Sequence, residues 1–137
     1  MSRLNIRRAF EKKLAEITPV GVQTSYENFK FSPTNGIPYQ KVQLSPRTPE
    51  NPSFGDDYHR EVGEFQIFLC YPLNQGSANV NEYAEIIKDT FFRGYSLEEN
   101  GTIVTVRLTP SIRGSIIVED RYCVPVIIDY FANILKS

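Results

Sequence analysis

The residues that could do chemistry are few and badly placed for it. His59 is the only histidine, and Asp56 and Asp57 stand close enough to suggest a carboxylate–imidazole metal site. A divalent cation needs three or four converging ligands, and these three would all come from one Pro-rich loop. A solvated loop without metal is the expectation. A serine or cysteine nucleophile would need the same His59 as its base. Cys70 and Cys123 lie inside strand patterns, away from any loop or helix N-terminus that would stabilise a thiolate. They are the only cysteines, so a disulfide scaffold is not expected and a reducing cytoplasm is the default compartment. Glu98-Glu99 beside Asn100-Gly101 could imitate a carboxylate pair, but neighbours at a strand-to-strand turn point apart into water. Glycines are scattered singly and match neither phosphate-loop nor dinucleotide spacing. No catalytic, metal or cofactor-binding residue is expected. The chain does not read as an enzyme.

Composition narrows the classes further. A chain of 137 residues with 41% hydrophobic and 23% charged residues has room for one domain, residues 1–137, around a real core. No apolar run approaches the roughly 20 residues of a membrane span, and no signal-peptide core follows the first residues. Charge is uneven. Residues 1–13 carry Arg3, Arg7, Arg8, Lys12 and Lys13 against Glu11, a net +4; the whole chain is −1, which leaves −5 for the rest. Tight non-specific binding to nucleic acid draws on many phosphate-neutralising cations, and the body of the chain lacks them. The basic segment is a candidate contact for DNA or for an acidic neighbour, weighed against a solvated helix face.

The elements that would have to position any site are clearer than the site. Ile6, Phe10, Leu14 and Ile17 form a helical stripe over residues 3–16, with Ser2 as a candidate N-cap. Thr18-Pro19 and Gly21 end it. Val22, Thr24 and Tyr26 alternate with polar residues as a first strand, and Asn35-Gly36 turns the chain toward a second strand near residues 39–44. From residue 61, Phe65, Ile67, Leu69 and Tyr71 alternate with Glu64, Gln66, Phe68 and Cys70. Pro72, Asn74 and Gly76 break that strand, because proline cannot donate to a ladder and glycine accepts turn dihedrals. Val80, Ala84, Ile87 and Phe91 then recur on one helical stripe, which Arg93-Gly94 is expected to close. Asn100-Gly101 opens a strand carrying Val104, Val106 and Leu108. After Thr109-Pro110-Ser111 and Gly114 comes a last strand with Tyr122, Val124, Val126, Ile128 and Tyr130 on one face. The order predicts an α+β fold, a largely antiparallel β-sheet with an N-terminal helix and a second helix packed on it. Its core should join Val80, Ala84, Ile87 and Phe91 to Phe65, Ile67, Leu69, Val124, Val126 and Ile128.

One stretch breaks every pattern. Residues 45–58 interleave Pro46, Pro49, Pro52 and Gly55 with Arg47, Glu50, Asp56 and Asp57. A loop of this length inside a compact domain is uncommon and is usually functional or disordered. Phe54 and Tyr58 could dock on a neighbour while Arg47, Glu50, Asp56 and Asp57 set register through charge pairing. These six residues are the candidate assembly interface.

Several pieces, in order, carry a resemblance. They are the N-terminal helix before Thr18-Pro19-Val20, the strand entering Tyr71-Pro72 before Gly76, and the helix ending in Phe91-Phe92-Arg93-Gly94. They continue with Gly101 opening a strand toward Thr109-Pro110-Ser111, then Arg121-Tyr122-Cys123-Val124-Pro125-Val126 leading to Tyr130. Together they span most of the chain, and the whole resembles the tail terminator-like (tail completion) proteins of long-tailed bacteriophages and prophages. The extended Pro-rich stretch and Glu98-Glu99 depart from that pattern. The resemblance implies a structural virion protein, a homo-hexameric ring that caps the tail tube and stops tail polymerisation. It implies as partners the chain itself, the tail tube protein and the head connector protein, with DNA passing through without specific binding and no membrane. It places the chain in the host cytoplasm during assembly and in the virion tail afterwards. Another phage neck or tail-tube ring subunit is the nearest alternative, and a small ligand- or peptide-binding module a more distant one.

Overall fold

The computed structural model describes residues 2–27, 30–34, 36–51, 58–73 and 77–135, with the side chains at 77 and 78 left aside. Helix α1 (Ser2–Ile17) is followed by strands β1 (Gln23–Ser25), β2 (Tyr39–Pro46) and β3 (Tyr58–Pro72). Helix α2 (Ser77–Thr90) precedes β4 (Ser96–Glu99), β5 (Thr102–Val106), β6 (Ser111–Ile112), β7 (Ile116–Val118) and β8 (Arg121–Leu135). One sheet runs in the order β1-β2-β3-β8-β5-β4, and β6 and β7 also pair with β8.

This corrects the expected architecture. The fold is α+β, but the chain is mostly strand and its sheet curls into a half-barrel, so the expected largely antiparallel sheet is only partly right. The first pair, β1 with β2, is parallel; the other pairings are antiparallel. The physical reason lies in strand length. β3 and β8 pair over 15 residues each, from Tyr58↔Leu135 to Pro72↔Arg121, and strands so long accumulate twist that coils the sheet. The second edge of β8 is then shared along its length by β7, β6 and β5 in succession.

Both helices pack on the same side of the sheet. The stripe Ile6, Phe10 and Leu14 is fully buried, and the Phe10 ring stacks on Phe65 at 4.9 Å between centroids. Phe91 and Tyr130 close around the same ring at 5.8 and 5.7 Å. From α2, Val80, Ala84, Ile87 and Phe91 meet Phe65, Ile67, Leu69, Val124, Val126 and Ile128 in one buried cluster. Each buried side chain of this size contributes on the order of 1.5–3 kcal/mol of transfer free energy.

Polar residues knot the elements at one end of this core. Gln40 is buried on β2, and its Nε2 donates to Thr18 Oγ1 at 2.9 Å and Thr24 Oγ1 at 3.0 Å. The Tyr83 hydroxyl of α2 donates to Gln40 Oε1 at 2.6 Å. One amide therefore joins the end of α1, β1, β2 and α2, with its buried polar atoms satisfied. Buried Arg121 does similar service at the start of β8. It donates to the carbonyls of Ile37 at 2.6 Å and Thr34 at 2.7 Å, over the Tyr39 ring.

Turn chemistry follows the sequence closely at one hairpin. Asn100 (φ 49°) and Gly101 (φ 82°) both take positive φ in the two-residue turn between Glu99 and Thr102. Two smaller expectations are revised. Ser2 lies inside the first turn of α1 and its hydroxyl donates to Glu61. α2 ends at Thr90, and Gly94 sits beyond it, its N–H donating to the carbonyl of Val106.

Candidate assembly surface

The two sides of the sheet carry different chemistry. Opposite the helices, alternation brings Glu64, Gln66 and Phe68 of β3 beside Pro125, Ile127 and Asp129 of β8. These side chains are half-buried, and an ion-pair network spans their lower half. Arg47 Nη2 lies 2.7 Å from Asp129 Oδ1, and Arg47 Nη1 lies 3.7 Å from Glu64. Arg60 and Arg107 both approach Glu50, at 3.6 and 3.9 Å, and the Arg60 guanidinium covers the Phe131 ring. The hydrogen bond that Arg47 donates to Asp129 raises the Arg47 pKa above its ordinary value, so this cation stays charged.

The network decides where the expected contact residues lie. Ser45 and Pro46 belong to β2, where proline is tolerated because β1 pairs only as far as Lys41, so among the described residues no strand needs a donor from position 46 on that edge. The Arg47 N–H donates to the carbonyl of Val62, and Glu50 and Arg60 exchange backbone hydrogen bonds of 2.8 Å. Arg47 and Glu50 are thus held against their own sheet. Tyr58 begins β3, and its hydroxyl donates to Asn133 at 3.2 Å. Phe54, Asp56 and Asp57 lie outside the described residues.

The residues considered for chemistry also find positions. His59 is on β3 rather than in a loop, with Nε2 3.1 Å from Glu61. Among the described residues no group of three or more His, Cys, Asp or Glu side chains converges. Cys70 and Cys123 stand directly opposite each other in the β3–β8 register and are joined as a disulfide, against expectation. They are 53 residues apart, so only the register of two long strands reveals the pairing. Glu98 is exposed, whereas Glu99 turns to the helix side and pairs with Lys12 at 2.7 Å. Among the described residues no helix is long and apolar enough to cross a membrane.

On the helix side the outer surfaces differ in sign. α1 exposes Arg3, Arg8 and Lys12, and α2 exposes Glu82, Glu85 and Asp89. Arg7 pairs with Glu11 at 3.8 Å and Lys13 with Glu16 at 3.8 Å, so part of the basic segment is neutralised within its own helix. Burial raises the Glu11 pKa, an effect Arg7 opposes. The open cleft of about 410 Å³ beside α1 mixes Arg7, Arg8 and Lys12 with Glu11 and Glu27. Such balanced charge is a poor phosphate track.

Sequence reasoning passed over one surface entirely. β7 exposes Ile116, Ile117 and Val118 in succession, at 51%, 66% and 45%. Three neighbouring exposed apolar residues on a strand paired along one side are unusual in a monomer, where such edges are normally blunted by charge or proline. The signal was present as the run Ile116-Ile117-Val118. It lacks alternation, so it reads as neither a half-buried strand nor a helix stripe.

The fold is shared with solved structures; one of them aligns over 100% of this chain and 99% of its own at a TM-score of 0.80 and 23% identity. No curated protein matches in sequence. A sequence model of phage tail terminator proteins matches residues 5–130, from the first turn of α1 to Tyr130 in β8. On that match the chain belongs to the phage tail terminator protein family, a structural family of the virion tail.

Proposed function

We propose that the chain is the subunit of a homo-hexameric ring that caps the phage tail tube, stops its polymerisation and offers the surface on which the head connector docks. The family match over residues 5–130 carries this reading. Three features support it. The sheet has a helix-free face bordered by Arg47, Glu50, Tyr58, Glu64 and Asp129, which provides charged and apolar area for a neighbour or for the tube. The basic α1 surface and the acidic α2 surface belong to one subunit, so copies arranged head to tail would meet with opposite charges. A body of net negative charge would let DNA pass through the ring without retaining it.

The test is polymerisation itself. Tail tube protein assembling in vitro should stop at shorter lengths when the purified chain is added, with the chain at one end of each tube. Tubes that grow to the same length, with no chain bound at their ends, would refute the capping role.

A further inference from the structure

The exposed β7 strand has a counterpart at the other margin of the same sheet. β1 is the first strand of the sheet path, and among the described residues it pairs only with β2 and β7 only with β8. The two lie on one row. Gln23 stands opposite Tyr39, Tyr39 opposite Cys70, Cys70 opposite Cys123, and Cys123 opposite Ile116. Each strand is three residues long. Their directions are also opposed, because β1 runs with β2 and β8 while β7 runs against β8.

Side chains agree with the backbone. Ile117 faces the helix side of the sheet, in register with Tyr122 and, through it, Tyr71. Beside β1, on that same helix side, lies an open cleft of about 320 Å³ lined by Pro19, Val20, Val22, Pro38, Tyr71 and Ile86. Val20 and Ile86 are exposed there although both are apolar.

We propose that β7 of one copy adds antiparallel to the open edge of β1 in a second copy, with Ile117 entering the cleft beside β1. The occupant is another copy of this chain. Each copy carries both halves of the contact, one at each margin, and the joined sheets would be continuous. A contact of this head-to-tail kind uses different surfaces on the two copies, so repeated addition closes into a ring when the rotation permits. Main-chain hydrogen bonds supply affinity, and the Ile117 side chain supplies register. The inference rests on the self-assembling subunit proposed above and names the surface by which it assembles.

Two exposed positions allow a reciprocal test. Ile117→Lys alters the strand, and Ile86→Glu alters the wall of the cleft. Each variant should melt like the parent as a monomer, because both side chains are solvent-exposed. In sedimentation, each single variant should associate about tenfold or more weakly than the parent. The double variant, which restores a complementary pair across the junction, should regain much of that loss. A parent that stays monomeric at high concentration would overturn the proposal, as would single variants that assemble like the parent or a double variant no better than the singles. If the variants lose binding to tail tube protein but still self-assemble, the edge serves that partner and the proposal fails. Tube capping by the parent is read separately, so failure at this edge leaves the capping role standing.

Discussion

The two faces of the sheet divide the work of the molecule. On the helix side, Phe10, Phe65, Ile67, Ile87, Phe91 and Ile128 are completely buried, and stability comes from apolar area and ring packing. On the other face, Arg47 pairs with Asp129 and Arg60 with Glu50, and the Arg60 guanidinium lies over half-buried Phe131. Exposed ion pairs contribute little to folding. The difference teaches that apolar burial is concentrated on the helix side, while the opposite face, apart from buried Val62 and the Cys70–Cys123 disulfide, carries half-buried and charged side chains.

That comparison can be broken most forcefully at Ile87. Ile87→Asp would bury a carboxylate among apolar neighbours, at a cost of more than about 4 kcal/mol. The variant should be unfolded or deeply destabilised in thermal melts, and parent-like melting would mean that the core is assigned to the wrong face. Gly63 offers the next largest effect. A Cβ there would lie 2.6 Å from the Ser45 carbonyl oxygen, 2.7 Å from the Tyr130 hydroxyl and 2.8 Å from the Pro46 Cα. Gly63→Ala should cost about 1–3 kcal/mol by overpacking, seen in urea denaturation; an unchanged midpoint would show that β2 and β3 can separate there.

Alkaline titration sharpens the same contrast, because the buried side holds two phenols. Burial pushes the Tyr83 and Tyr130 pKa values up to about 12. Below about pH 10 both folded and unfolded chains keep these phenols protonated, and neither contributes a slope. As pH rises from about 10 toward about 12 the unfolded chain ionises first, so stability is lost across that window. The melting temperature should fall there, and Tyr83→Phe should fall less steeply than the parent. A parallel slope in the variant would contradict the burial of that phenol. The smallest effect belongs to the helix-free face. Arg47 is close to half exposed, and Arg47→Ala should cost about 1 kcal/mol or less in the monomer. A loss comparable to Ile87→Asp would erase the distinction between the faces.

What the sequence disclosed follows the same division. The ten core positions were legible because burial on one face imposes period 2 on β3 and β8 and a helical stripe on α2. The Asn100-Gly101 hairpin was legible because its turn needs positive φ at both positions. Long-range register was not legible. The Cys70–Cys123 pair depends on how β3 meets β8, and burial of Gln40 depends on Thr18, Thr24 and Tyr83 arriving from three other elements. At 45–58 the prolines concealed a strand end, since β2 runs to Pro46 and β3 begins at Tyr58. The curl of the sheet was hidden for a related reason: alternation records which face is buried and not how far twist accumulates along a long ladder.

The central claim, that this chain ends the growth of a phage tail, is tested most directly by removing it. Particles produced without this chain should carry headless tails of broad and excessive length in electron micrographs, and supplying the chain should restore uniform tails joined to heads. Tails of normal length that join heads normally in its absence would contradict the account.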